Sequence, residues 1–168
     1  MRIAPLFLLA LGSLSAQYPA GLGTGYLGEL EHIGRQMVQL AEAVPEEKYS
    51  WRPAPGVMSV AEVYLHVYTG SFGLLSQAGH KQPADLVMKP KTKAEIVAEL
   101  KRSLAAVKLA YEGTSPKELQ RPVKLFGAID SKVESVYLRI LAHLSEHMGQ
   151  SIAYARMNGI VPPWSKNQ

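Results

Sequence analysis

Three times in this chain a Ser/Thr-x-x-Glu pattern stands at the head of an apolar run: Ser59-x-x-Glu62, Thr92-x-x-Glu95 and Ser131-x-x-Glu134. In such a capping box the hydroxyl accepts from the backbone N–H three residues on. The carboxylate reaches back to the cap N–H, so the helix start is fixed locally. The runs themselves repeat with helical period. Leu27, Leu30, Ile33, Met37, Leu40 and Val44 define a first helix over about 24–44, stopped by Pro45. Val60, Val63, Val67, Ser71 and Leu74 define a second over about 59–78. Ile96, Leu100, Leu104, Val107 and Tyr111 define a third, from the Thr92 cap to about Glu112. Val133, Val136, Tyr137, Ile140, Leu141, Leu144, Met148 and Ile152 define a fourth, from the Ser131 cap to about Met157. Gly159 and Pro162-Pro163 prevent its continuation. Ser115-Pro116-Lys117-Glu118 reads as one short helical turn, capped by Ser115 with Pro116 at its first position. Residues 121–129 are extended or looped; a short strand fits there but is not required. Four helices with no alternating strand pattern specify an all-α fold, a four-helix bundle. The connection lengths leave the pairing order open.

The first 17 residues stand apart. Arg2 gives a positive start, Pro5-Leu6-Phe7-Leu8-Leu9-Ala10-Leu11-Gly12 an apolar run, and Ser13-Leu14-Ser15-Ala16 a small-residue exit. This is the form of a cleavable secretory signal, too short to span a bilayer as a helix. The expected division is therefore a signal peptide over 1–17 and one bundle domain over 18–168, placed in the periplasm or outside the cell. After cleavage no stable membrane insertion is expected. The whole chain has 168 residues, 47% of them hydrophobic, enough for one compact core. Loss of Arg2 takes the formal charge from +4 to +3. With no Arg-rich stripe and no interleaved aromatics, that argues against a nucleic-acid partner. The chain has no cysteine, which removes disulfides, thiolate ligands and a thiol nucleophile together.

Chemistry is concentrated in histidine. His143 and His147 lie four apart in the fourth helix, hence on one face one turn apart. Two imidazoles so placed can reach one metal ion, and His66 in the second helix is the candidate third ligand. A facial three-histidine set suits Zn²⁺, Ni²⁺ or Fe²⁺ and leaves a position open for water or substrate. The competing reading is a set of hydrogen-bonded histidines at a bundle edge, without metal. Gly70 and Gly73 share the stripe of His66. Either they leave space beside it, or they let two helices approach closely. Glu62 could orient His66 but is expected in the cap; Glu146, His32 and His80 are expected in solvent. Tyr64, Tyr68 and Tyr154 read as packing groups with a phenol to spare, and Gln150 as a residue lining the cleft. Trp51 is expected to pack over the bundle end. No Ser-His-Asp order, phosphate loop or dinucleotide fingerprint is present.

Trp51-x-Pro53-x-Pro55-Gly56-x-x-Ser59, then His66, then His143-x-x-x-His147, then Asn158-Gly159-x-x-Pro162-Pro163-Trp164, resembles the DinB/YfiT-like family across nearly the whole mature chain. The resemblance implies an up-up-down-down four-helix bundle, commonly a homodimer, with a divalent metal on three histidines. Position by position those ligands fall on His66, His143 and His147. The family name reflects DNA-damage induction and does not imply DNA binding. Some relatives are S-transferases or isomerases that use mycothiol, bacillithiol or glutathione. Those thiols are cytosolic, in conflict with an export signal. The resulting expectation is a metal-dependent hydrolase or transferase acting on a small molecule, thiol S-transferase chemistry included. The alternative is a non-catalytic exported bundle with a structural metal.

Overall fold

The structure, a computed structural model, describes residues 21–165; the signal segment expected over 1–17 lies outside the described residues. The order is α1 (Tyr26–Ala43), α2 (Val60–Gln77), α3 (Lys93–Glu112), α4 (Pro116–Leu119), β1 (Pro122–Leu125), β2 (Ile129–Lys132) and α5 (Val133–Met157). Short 3₁₀ turns lie at Glu46–Lys48 and Pro163–Ser165. The four long helices build the bundle around Met37, Leu40, Val67, Tyr68, Leu100, Val107, Ile140 and Leu144, all fully buried.

Local signals set most of the boundaries. Both halves of the capping box form at Ser59/Glu62 and at Thr92/Glu95. Ser115 caps α4, with Pro116 in its first turn. The third box does not form. Ser131 lies in β2 opposite Val123, and α5 starts from Lys132 with no side-chain cap. The two-stranded ladder holds the chain extended up to Lys132, and the Val133 N–H donates to the Arg121 carbonyl (3.1 Å). The Glu134 carboxylate instead accepts from Gln120 Nε2 (3.2 Å). The short strand that the sequence merely allowed is thus one half of an antiparallel hairpin.

The helix directions follow from who touches whom. Lys93, at the start of α3, donates through Nζ to the carbonyls of Glu42 and Val44 at the end of α1 (both 2.7 Å). Lys108, late in α3, pairs with Glu31, early in α1 (2.6 Å). So α1 and α3 are antiparallel. Tyr26 and Tyr137, near the starts of α1 and α5, meet edge to face at 5.7 Å, so these two run parallel. Tyr154, late in α5, donates to the Met58 carbonyl just ahead of α2 (3.1 Å), which makes α2 and α5 antiparallel. Each of α1 and α2 packs against both α3 and α5. In chain order the bundle therefore runs up-down-down-up, not the up-up-down-down expected from the resemblance. The long return falls between α2 and α3. Residues 78–92 run back along α2, held by Tyr68 donating to the Val87 carbonyl (2.6 Å) and by Asp85 paired with Arg102 (2.9 Å). An extended chain of that length reaches at most ~50 Å, more than the ~30 Å of a 20-residue helix. The connections on either side need no such reach, because each joins neighbouring ends. The consequence for the site is that α2 and α5 lie side by side.

Candidate metal centre

On α5, Leu144 and Met148 point into the core, which leaves His143 and His147 facing the seam with α2. His66 on α2 completes the group. The three rings meet pairwise at centroid distances of 4.8, 4.8 and 4.6 Å, with interplanar angles of 71–82°. One nitrogen from each lies within 4.8 Å of the others, and Nε2 of His143 is 2.9 Å from Nε2 of His66. His66 is exposed; His143 and His147 are half-buried. The two residues on the seam that the sequence marked by i,i+4 spacing and the distant His66 are thus brought together. His32 on α1 stays outside the group. His80, expected in solvent, also stays outside it and is instead half-buried, with Nε2 3.0 Å from the Tyr137 hydroxyl. The stretch after α2 turns back over that hydroxyl.

The electrostatics keep these rings ready to act as ligands. Burial, then the neighbouring His147, pushes His66 below the ordinary histidine range. Burial, then His147 and His66, pushes His143 down to about 4. Both are therefore neutral near pH 7, the form that offers a lone pair to a cation. Nδ1 of His143 is buried with no hydrogen-bond partner. A buried group left unpaired costs about 1–3 kcal/mol, and such exceptions call for a functional reason. What holds that ring is shape. A Cβ on Gly70 would stand 2.7 Å from Cε1 of His143, so this glycine makes the space the ring occupies. At Gly73 a Cβ would meet nothing within 4 Å. Of the two open readings of the glycine pair, Gly70 leaves room for a histidine, and Gly73 faces open space.

His147 is held differently, by a chain of hydrogen bonds. Its Nδ1 lies 2.8 Å from Gln150 Oε1; Gln150 Nε2 donates to the Tyr154 hydroxyl (2.9 Å), which donates to the Met58 carbonyl. Trp51 packs on Tyr154 in a T-shaped contact, ring centroids 5.3 Å apart, as expected for an indole over the bundle end. In the sequence Gln150 reads as a cleft-lining residue and Tyr154 as a packing group; the 147, 150, 154 spacing on one helix face is the signal that joins them to His147. The nearby carboxylates are engaged. Glu62 accepts from the Ser59 N–H (2.6 Å) and pairs with Arg52 (3.1 Å). Glu146 is exposed and pairs with Arg139 (2.7 Å). Tyr64 and Tyr68 are buried packing groups.

A helical bundle whose one cluster of potential metal ligands among the described residues is three histidines on two adjacent helices defines a class of protein. Within it, residues 29–151 match the DinB superfamily, and the chain belongs to that superfamily. Among solved structures it is similar to a DinB-like protein from Bacillus cereus ATCC 10987. The TM-score is 0.74 at 20% identity, over 83% of this chain and 95% of that one. It is also similar to a DinB-like protein from Bacillus subtilis, with a TM-score of 0.64 at 17% identity, over 81% and 93%. At such identities the likeness speaks to the fold. No curated protein matches the chain.

Proposed function

We propose that this chain is an exported, divalent-metal-dependent protein of hydrolase or transferase type, with its ion on His66, His143 and His147. The observation that carries the proposal is the convergence of three imidazole nitrogens, from two helices, within 4.8 Å of one another. The donor set fits Zn²⁺, Ni²⁺ or Fe²⁺: three imidazoles, no thiolate, and an exposed His66 side. An ion held there supplies Lewis acidity for polarising a carbonyl, a phosphoryl oxygen or a thiol. The chain's own part is to hold His66 and His143 neutral, to fix two of the three histidines on the rigid α5, and to leave the exposed His66 edge accessible to a small-molecule substrate. A homodimer and an extracytoplasmic location belong to the same proposal, the latter carried by the apolar segment ahead of Ala16.

The test is metal content after purification without added metal. One equivalent is expected in the wild-type protein, and each of His66→Ala, His143→Ala and His147→Ala should empty the site. Full retention in all three variants would end the proposal. Intact mass of the exported protein checks the other half: the expected cut follows Ala16, and an uncut chain retained inside the cell refutes export.

A second reading has its own observation. The triad spans the α2/α5 seam, so an ion there also clips two helices together. Ligand-linked stability rises as RT ln(1 + [L]/Kd). If chelation lowers the melting temperature strongly while hydrolase and transferase substrates go unturned, the ion is structural.

A further inference from the structure

We infer that Gln150 and Tyr154 set the tautomer of His147, from an anchor on the Met58 carbonyl, and so decide which of its nitrogens is presented to a metal. The inference rests on the metal reading above for its consequence, but not for its geometry. The direction of the relay follows from what each group can do. A backbone carbonyl only accepts, so the Tyr154 hydroxyl must spend its single hydrogen on Met58 (3.1 Å). The phenolic oxygen can then only accept from Gln150, which turns the amide nitrogen toward Tyr154 (2.9 Å). That leaves the amide oxygen facing His147, where it can only accept (2.8 Å). Nδ1 of His147 must therefore carry a hydrogen, and in the neutral ring Nε2 is the nitrogen left with a free lone pair. The relay removes the freedom to flip that an isolated glutamine would have.

The anchor has a second effect. Met58 immediately precedes Ser59, the cap of α2, and α2 carries His66. The relay thus ties the α5 ligand His147 to the start of the helix that bears the third histidine. Gln150 and Tyr154 are positioning residues. Partners of this kind orient metal-binding histidines and typically change metal affinity 10–100-fold when removed.

The experiment uses the full-length mature protein with Gln150→Leu, Gln150→Glu and Tyr154→Phe. In metal-free protein, long-range ¹⁵N–¹H correlation spectra report which nitrogen of His147 carries the hydrogen. The expected result is Nδ1–H in wild type and in Gln150→Glu, whose carboxylate still accepts. Gln150→Leu and Tyr154→Phe should give a mixture of tautomers. Titration with Zn²⁺ should then show affinity about 10–100-fold lower for Gln150→Leu and rescued by Gln150→Glu. A merely structural contact would not be rescued by a change of charge. Hydrogen on Nε2 in wild type, or an unchanged tautomer in Gln150→Leu or Tyr154→Phe, overturns the inference. A wild-type protein with the expected tautomer that binds no Zn²⁺ overturns the function proposed above and leaves the relay standing.

Discussion

Replacing Gly70 by alanine should pull metal affinity and folding stability in opposite directions. Gly70 lies inside α2, where glycine is less favourable than alanine by roughly 0.5–1 kcal/mol. On backbone grounds alone Gly70→Ala should stabilise the fold. The new methyl, however, would stand 2.7 Å from Cε1 of His143. Ordinary carbon contacts begin near 3.5 Å, so the ring must retreat by ~0.8 Å. The ring sits at the end of its side chain and can move, so the fold tolerates the change. The ligand geometry does not: metal–nitrogen distances are held within about 0.2 Å in a working site. His143 would leave its 2.9 Å approach to His66. The expectation is a loss of Zn²⁺ affinity of about tenfold or more, with the metal-free melting temperature unchanged or slightly raised. Gly73→Ala is the matched control, because its methyl would meet nothing within 4 Å. It should raise metal-free stability by about 0.5–1 kcal/mol and leave affinity alone. Isothermal titration and thermal melts in chelator measure both quantities on the same samples. If Gly70→Ala binds Zn²⁺ as tightly as Gly73→Ala, the claim that this glycine shapes the His143 position is wrong.

Three further outcomes follow from the same geometry. His143 is held down to about 4, against an ordinary value of 6.5. Between those values the unfolded chain binds more protons than the folded one. Metal-free stability should therefore be greatest above pH 6.5 and fall as the pH is lowered toward 4; melts of His143→Asn, which should be flatter across that window, check it. Ser59→Ala removes a formed capping box and should cost about 0.5–2 kcal/mol, whereas Ser131→Ala, in a strand rather than at a cap, should stay within about 0.5 kcal/mol; urea denaturation separates the two. The Arg139–Glu146 pair is solvent-facing on the Glu146 side, so Arg139→Ala should cost no more than about 1 kcal/mol, read from the same denaturation curves.

Signals that act within a few residues held: the Ser59 and Thr92 boxes, the Ser115-Pro116 start of α4, and the placing of His143 and His147 one turn apart. Ser131-x-x-Glu134 has the same local form and failed, because pairing of Ser131 with Val123 is a contact between strands that a cap motif does not encode. His80 reads as a loop histidine in the sequence. It found Tyr137, far along the chain, only because the segment after α2 folds back.

What the sequence determined alone is the set of helices, the core-facing side of each, and the i,i+4 histidine pair, all consequences of helical period and of caps that act over one turn. What the tertiary structure decided is the up-down-down-up course, the meeting of His66 with that pair, and the link from His147 through Gln150 and Tyr154 to Met58. Those depend on which helices lie side by side and in which direction, and residues 78–92 are long enough for either course. The choice comes from how the buried faces of four helices pack together, a property of all of them at once.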